Sequence, residues 1–185
     1  EIAEALVMAT QKGGSLSVGT VIDLDRVPFC VEAVFTQSDE HAWAGQTSHS
    51  NMALPWVYGQ NESEAQVTLD FLSPTTFKSN DMNVPVPLPA FVFGSLLEKW
   101  NAFAPVKLPE DLREFAAACM ALSRYDLRTL AVPFKDNAVK FGMVGRATYT
   151  APHADETLWR AIHLLAEVAF YGGVGAQTTM GFGQG

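Results

Sequence analysis

From Ala65 onward the apolar residues change their period in a fixed succession, and few folds accept that succession. Val67, Leu69 and Phe71 alternate with Gln66, Thr68 and Asp70, the two-residue repeat of a half-buried strand. Ser73-Pro74 is expected to end it, and a polar loop, Lys78-Ser79-Asn80-Asp81, follows. Val84-Pro85-Val86-Pro87-Leu88-Pro89 excludes helix and predicts extended, polyproline-like chain, with Pro89 suited to the first turn of the next helix. Val92, Leu96, Trp100 and Phe103 are spaced at four, four and three, a helical stripe that reads as core. A second helix starts near Glu110. Glu110 and Asp111 suit its positive N-terminal end, and Leu112, Phe115, Cys119 and Leu122 are expected inward. Two strands come next, over 127–134 and 139–149, joined by a tight hairpin turn at Asp136-Asn137. A helix over 155–170 carries Leu158, Ile162, Leu165 and Ala169 in register, and a glycine-rich segment with a short final strand closes the chain. Strand, helices, strand, strand, helix, strand is the β-α-β-β-α-β order of an α+β, ferredoxin-like (RRM-like) domain.

The first 64 residues are less regular. Residues 1–11 read as the tail of a helix stopped by Gly13-Gly14, and 15–22 and 29–35 read as two short strands joined through 23–26. These elements suit the end of a preceding domain of the same kind. The expected organisation is a truncated first ferredoxin-like domain over 1–36, a linker or loop over 37–64, and a complete one over 65–185. The start at Glu1, without Met or a signal-type apolar core, gives the expectation of a piece of a longer protein.

Composition narrows the function classes. Of 185 residues, 48% are hydrophobic and 17% charged, which excludes wholesale disorder. Nowhere is there a run of about 18 apolar residues, so no membrane span is expected. Cys30 and Cys119, far apart, make neither a disulfide framework nor a metal cluster, and a reducing, cytoplasmic setting is expected with no cofactor and no metal. The net charge of −8 is a poor prior for a polyanion ligand, but it is unevenly spread. Residues 1–124 hold 7 bases and 15 acids, whereas 125–185 hold 5 of each. A polyanion is therefore expected on the last third.

Six of the last fourteen residues are glycine: Gly172, Gly173, Gly175, Gly181, Gly183 and Gly185. Glycine lets a backbone turn left-handed and approach a ligand, and successive N–H groups form concavities for anions. Gly172–Thr179 has a superficial likeness to a nucleotide-binding P-loop. However, Gln177 stands where the lysine should be, the segment follows a helix instead of a strand, and almost no chain remains for the next helix. Nucleotide hydrolysis is therefore set aside.

The segment GGVGAQTTMGFGQ over 172–184 resembles the C-terminal glycine-rich signature of the CRISPR-associated endoribonucleases that process repeat RNA, the Cas-six family of the RAMP superfamily. VTLDFLSPTTF over 67–77, LPAFVFGSLLEKW over 88–100 and VGRATY over 144–149 are similar to that family's first strand and loop, the following helix, and the strand before the last helix. The resemblance covers about 65–184 well and 15–35 loosely. It implies two tandem ferredoxin-like domains and repeat RNA as partner, with other CRISPR effector or adaptation proteins as further candidates. It also implies metal-independent cleavage, the RNA's 2′-hydroxyl attacking the adjacent phosphate to leave a 2′,3′-cyclic phosphate. The family's acid and base side chains usually belong to the first domain, so no catalytic residue is carried onto this chain. Two departures stand out: many relatives place Lys or Arg in the loop where this chain has Gln177, and relatives are commonly basic.

The RNA-binding candidates are then Gly172, Gly173, Gly175, Gln177, Thr178, Gly181 and Gly183 in the loop, with Thr179 beside Thr178 as a second hydroxyl. Lys140 and Arg146 share a strand face, Arg128 neighbours them, and Lys78 lies in the Ser-Pro-Thr-Thr-Phe-Lys loop. His41 and His49 read as solvated loop residues, His153 as surface, and His163 as a partly buried packing or capping group. Trp43, Trp56 and Tyr58 read as pins of the loop to a core in preference to base-stacking groups. The expected function is binding and cleavage of repeat RNA; the alternative is a non-catalytic RNA-binding or assembly subunit of the same superfamily.

Overall fold

The computed structural model describes residues 2–24, 26–59, 61, 63–133 and 138–185, and it divides into two units, Glu1–Ser48 and His49–Gly185. In the first, helix α1 (Ile2–Thr10) precedes an antiparallel hairpin of β1 (Val21–Leu24) and β2 (Val27–Cys30). The helix gives way to Gly13, which has φ +85°, where a side chain would be strained. The strands are shorter than expected, and Asp23 and Leu24, read as turn, belong to β1. Val21, Leu24, Val27 and Phe29 are exposed, so among the described residues of this unit the hairpin buries no core of its own.

The second unit runs α2 (His49–Val57), β3 (Gln66–Thr75), β4 (Phe77–Ser79), β5 (Met82–Val84), α3 (Pro89–Phe103), α4 (Asp111–Cys119), β6 (Ala121–Pro133), β7 (Val139–Thr150) and α5 (Glu156–Gly172). It is an α+β, ferredoxin-like fold. Alternation in β3 buries Val67, Leu69 and Phe71. The central sheet has the order β3-β7-β6, antiparallel throughout. The expected final strand is not a regular strand. Instead the chain end lies along the free edge of β3. Leu72 N–H donates to the Gln184 carbonyl (2.8 Å) and Gly183 N–H to the Pro74 carbonyl (3.0 Å). The order is thus chain end, β3, β7, β6, with the fourth place held by a few bonds.

Helix α3 has Pro89 at its first turn, where the missing N–H costs nothing. Val92, Leu96 and Trp100 are buried as the stripe predicts, but Phe103 is 77% exposed. The core side of that turn belongs to Trp100 and Ala104, and Trp100 Nε1–H donates to the Val106 carbonyl (2.9 Å), folding the chain back. On α4, Leu112 and Phe115 are buried as expected, whereas Cys119 is exposed and Leu122 belongs to β6, because the helix stops at Cys119. Asp155 caps α5, accepting from the N–H groups of Thr157 (2.9 Å) and Leu158 (3.1 Å). Ile162, Leu165 and Ala169 then face the core with Phe71, Phe93, Met143 and Tyr149. Tyr149 donates to the Pro87 carbonyl (3.0 Å), and burial pushes its hydroxyl well above the usual phenolic range.

Several other expectations are corrected. Strand β3 runs past Ser73-Pro74 to Thr75 through an irregularity between Phe71 and Thr75. Opposite Pro74 stands Gly142, where an added Cβ would lie 2.7 Å from the proline Cβ, so the bare position admits the ring. The polar loop at Lys78–Asp81 is the tip of the small β4–β5 hairpin. The expected linker contains α2, whose Trp56 is buried, stacked on His163 of α5 at 5.1 Å. His49 opens α2 and packs edge-on to Trp100 (5.2 Å), so it is not a solvated loop residue. The turn expected at Asp136-Asn137 lies outside the described residues.

On the sheet face away from the core side chains, the register aligns Asp70, Arg146 and Asp126 in one row. Arg146 donates through two nitrogens to Asp70, Nε to Oδ1 at 2.6 Å and the terminal nitrogen to Oδ2 at 2.8 Å. The hydrogen bonds and charge of Arg146 hold the Asp70 carboxyl below its ordinary value. Gly145 (φ +124°) lies between Phe71 and Leu127, and a Cβ there would come within 2.1 Å of the Asp126 carbonyl oxygen.

Gly145→Ala should therefore cost more than about 2 kcal/mol in urea denaturation, since strain and collision add; an unchanged midpoint would show that β6 can move aside. The contribution of the Asp70–Arg146 pair is present at neutral pH, above the unfolded carboxylate pKa, and is lost as pH falls through the depressed folded value. Denaturation curves of the wild type and Asp70→Asn should differ modestly at neutral pH, as for an exposed pair, and converge on acidification below about pH 4.

Candidate functional site

The glycine-rich segment is a closed loop built mainly of main-chain hydrogen bonds. Helix α5 ends at Gly172, and Gly173 follows with φ +64°. Val174 N–H donates to the Gly183 carbonyl (2.7 Å), closing the loop at its neck. Gly175 N–H donates to Ser95 Oγ on α3 (3.0 Å), and Ala176 N–H to the Thr76 carbonyl (2.8 Å). Gln184 N–H donates to Ser73 Oγ (2.8 Å). Val174 and Phe182 are buried plugs that seat the loop on the domain. Within it, residues 178–180 make a single 3-10 turn, flanked by left-handed Gln177 (φ +64°) and Gly181 (φ +83°).

This architecture assigns most of the glycines. An added Cβ would lie 2.8 Å from the Gly183 carbonyl oxygen at Gly173, 2.4 Å from that of Thr76 at Gly175, and 2.0 Å from that of Val174 at Gly183. Gly173 and Gly183 are bare because the loop's own backbone crosses there, and Gly175 because the backbone after β3 does, a demand of folding that glycine count cannot distinguish from ligand approach. Gly181 has open space around its Cβ position, and Gly172 only ordinary contacts. Gln177 pays the left-handed backbone cost of about 1 kcal/mol without being glycine, and its side-chain Oε1 is buried with no partner among the described residues. Its side-chain oxygen therefore does not face a ligand in this conformation.

What the loop does present is a shallow concavity of about 180 Å³, walled by residues 171–173, 178–179 and 182–184. Thr179 is exposed, whereas the Thr178 methyl is turned against Gly173 and Gly183. Behind the wall stands a residue the sequence reading missed. Lys99 of α3 donates from Nζ to the Gly173 carbonyl at 2.8 Å, and burial pulls its ammonium down to about 8, against the opposing influence of Glu98. No local signal marks it, because the loop lies 74 positions away in sequence.

The other candidates are separated from the loop. Arg128 lies on edge strand β6, two strands beyond β3, so about 14 Å of sheet divides it from the chain end. It borders a hollow of about 400 Å³ with Asp126, Leu72 and Pro74. Arg124, which the sequence reading passed over, shares this face, aligned with Thr148; Thr148 and Thr68 hydroxyls meet at 3.0 Å. Arg146 is engaged by Asp70, and Lys140 stands opposite Val132 on the same face. Lys78 is exposed at a separate hollow of about 300 Å³ beneath the loop, with Phe91, Ser95, Arg113 and Gly175, and there Arg113 is paired with Glu98. His163 is buried as expected. Its Nε2 lies 3.1 Å from the Glu64 carbonyl, which also accepts from Trp159 Nε1–H (2.8 Å), and burial lowers its pKa. Trp56 pins α2 as expected, but Trp43 and Tyr58 are exposed.

Comparison with known proteins places this loop and sheet in a family. The sequence description of CRISPR-associated endoribonuclease Cas6 matches residues 69–185, which include most of β3 and the whole glycine loop. The CRISPR-associated endoribonucleases Cas6 of two strains of Mycobacterium tuberculosis are 32% identical over 118 residues, 62% of this chain but only 36% of each relative. Among solved structures, a Cas6 product complex is similar with a TM-score of 0.77 and 34% identity, over 90% of this chain and 66% of that one. A Cas6 substrate mimic complex gives 0.76 and 34%, over 90% and 68%. Thermus thermophilus Cas6 gives 0.69 and 27%, over 81% and 61%. The chain spans about a third of the length of the curated relatives it matches. With a family match over more than half of its residues, it belongs to the CRISPR-associated endoribonuclease Cas6 family.

Proposed function

We propose that this chain is the RNA-holding C-terminal part of a CRISPR repeat-RNA endoribonuclease, with 1–36 the end of a first ferredoxin-like domain. The observation that carries the reading is the main-chain loop at the edge of β3, closed by the Val174–Gly183 bond and opening as a concavity beside Thr179, in a chain of the Cas6 family. Such a surface fits a sugar–phosphate strand, which backbone groups and hydroxyls can hold without reading sequence. Arg124 and Arg128 on the sheet's far edge supply phosphate contacts one or two nucleotides away, and Lys78 offers a third point.

The cleavage itself is a transesterification. The RNA's 2′-oxygen forms a bond to phosphorus, the 5′-oxygen leaves with a proton from an acid, and a 2′,3′-cyclic phosphate remains. It needs a base for the 2′ proton, an acid for the leaving oxygen and cations for the phosphorane. We assign none of these to a residue of this chain. His163, the most buried histidine described, is occupied in packing α2 to α5. The part played here is binding and alignment.

The complete protein incubated with repeat RNA and EDTA should yield a product whose new 3′ end resists direct phosphatase treatment, the mark of a cyclic phosphate; binding without cleavage would favour an assembly subunit, and failure to bind repeat RNA would overturn the reading. Thr179→Glu, which puts a carboxylate in the concavity at an exposed position, should weaken RNA binding about tenfold with little change in melting temperature. Gly183→Val should instead lower the melting temperature, because its Cβ would collide with the Val174 carbonyl. If Thr179→Glu left polarisation-measured affinity unchanged, the concavity would not be the contact.

A further inference from the structure

The loop residues 172–185 include no base and no acid. The concavity opens at the C-terminal end of α5, the negative end of a helix dipole, and the last turn of α5 holds no base. A phosphate settling there would meet the repelling end of a helix. The compensating charge comes from a different element. Lys99 is the sole base on α3; its stem runs beside Gly172, where an added Cβ would lie 3.8 Å from Lys99 Cδ, and its Nζ donates to the Gly173 carbonyl at 2.8 Å.

Gly173 is at once the C-cap of α5 and part of the concavity's wall. Lys99 does not itself line the concavity, so it acts through that glycine. Its charged neighbour on α3 is Glu98, whose carboxylate is taken by Arg113. From α5 and the loop, the atoms placed against it are the uncharged backbone of Gly172 and Gly173.

We propose that Lys99 is the positioning residue for the RNA phosphate at the glycine loop: it engages the Gly173 carbonyl and supplies the positive charge that the loop and the end of α5 lack. This rests on the RNA-binding reading above. Burial already pulls the free ammonium down to about 8. A nearby phosphate favours the charged form, so RNA should raise the pKa of Lys99 and its binding should take up protons near that pH.

Two measurements test this on the complete protein with a labelled repeat RNA. In fluorescence polarisation at about pH 7, Lys99→Met should bind about tenfold more weakly than the wild type, and Lys99→Arg should recover most of the loss. In the wild type, the NMR titration midpoint of the Lys99 side chain should rise when RNA is saturating. Equal affinity of a folded Lys99→Met variant, or a midpoint unmoved by RNA, overturns the role of Lys99 while leaving RNA binding intact. If Lys99→Met fails to fold, the wild-type titration decides alone. If the wild type binds no repeat RNA, both this proposal and the reading beneath it fall.

Discussion

The short hydrogen bond from Val174 N–H to the Gly183 carbonyl organises the end of the chain. It brings two ends of a ten-residue loop together and leaves Val174 and Phe182 seated in the domain. Once the neck is closed, Gly183 and Gln184 lie against the irregular end of β3, and the chain end can occupy the fourth place of the sheet. The concavity exists only because of this closure. Its frame is main chain, held by hydrogen bonds at Ser73, Ser95, Thr76 and Pro74.

Charge on the second unit is organised by subtraction. Arg146 is paired with Asp70, Arg160 with Glu156, and Arg113 with Glu98. Lys107 closes the end of α3 on the carbonyls of Asn101 and Ala104. Exposed pairs of this kind add little stability, but each withdraws a cation from the pool open to a polyanion. In a chain of −8, recognition of a phosphate strand would then depend on backbone groups and a few cations with an open side. A modest salt dependence would follow from so few counterions released.

The elements legible in advance were those whose signal is local. The alternation in β3, the proline that opens α3 and the apolar register of Leu158, Ile162, Leu165 and Ala169 in α5 each act within a few turns of chain, and each predicted its element. Helix α2 carried no such signal. It contains Pro55 and a polar first turn, and its burial comes from Trp56 stacking on a histidine more than a hundred positions away. Cys119 and Leu122 fit a continued helical stripe, yet the chain turns into β6 between them, where pairing with β7 outweighs the weak preference for another turn. For the candidate site, the loop's position and glycine density were legible. Which glycines serve folding was not, because that depends on the carbonyls of Thr76, Val174 and Gly183 crossing close by.

The order of strands and helices, the core faces and the family were thus written in local periodicity and in short motifs, since period and turn chemistry depend on neighbours along the chain. Only the tertiary structure decided that Arg146 is neutralised by Asp70, that Gln177 turns its side-chain oxygen inward, and that Lys99 lies behind the loop. Each depends on residues 74 to 76 positions apart, or on burial by the whole domain. Electrostatic partners are chosen by distance in space, and no spacing along the chain encodes that distance until the sheet and helices have packed.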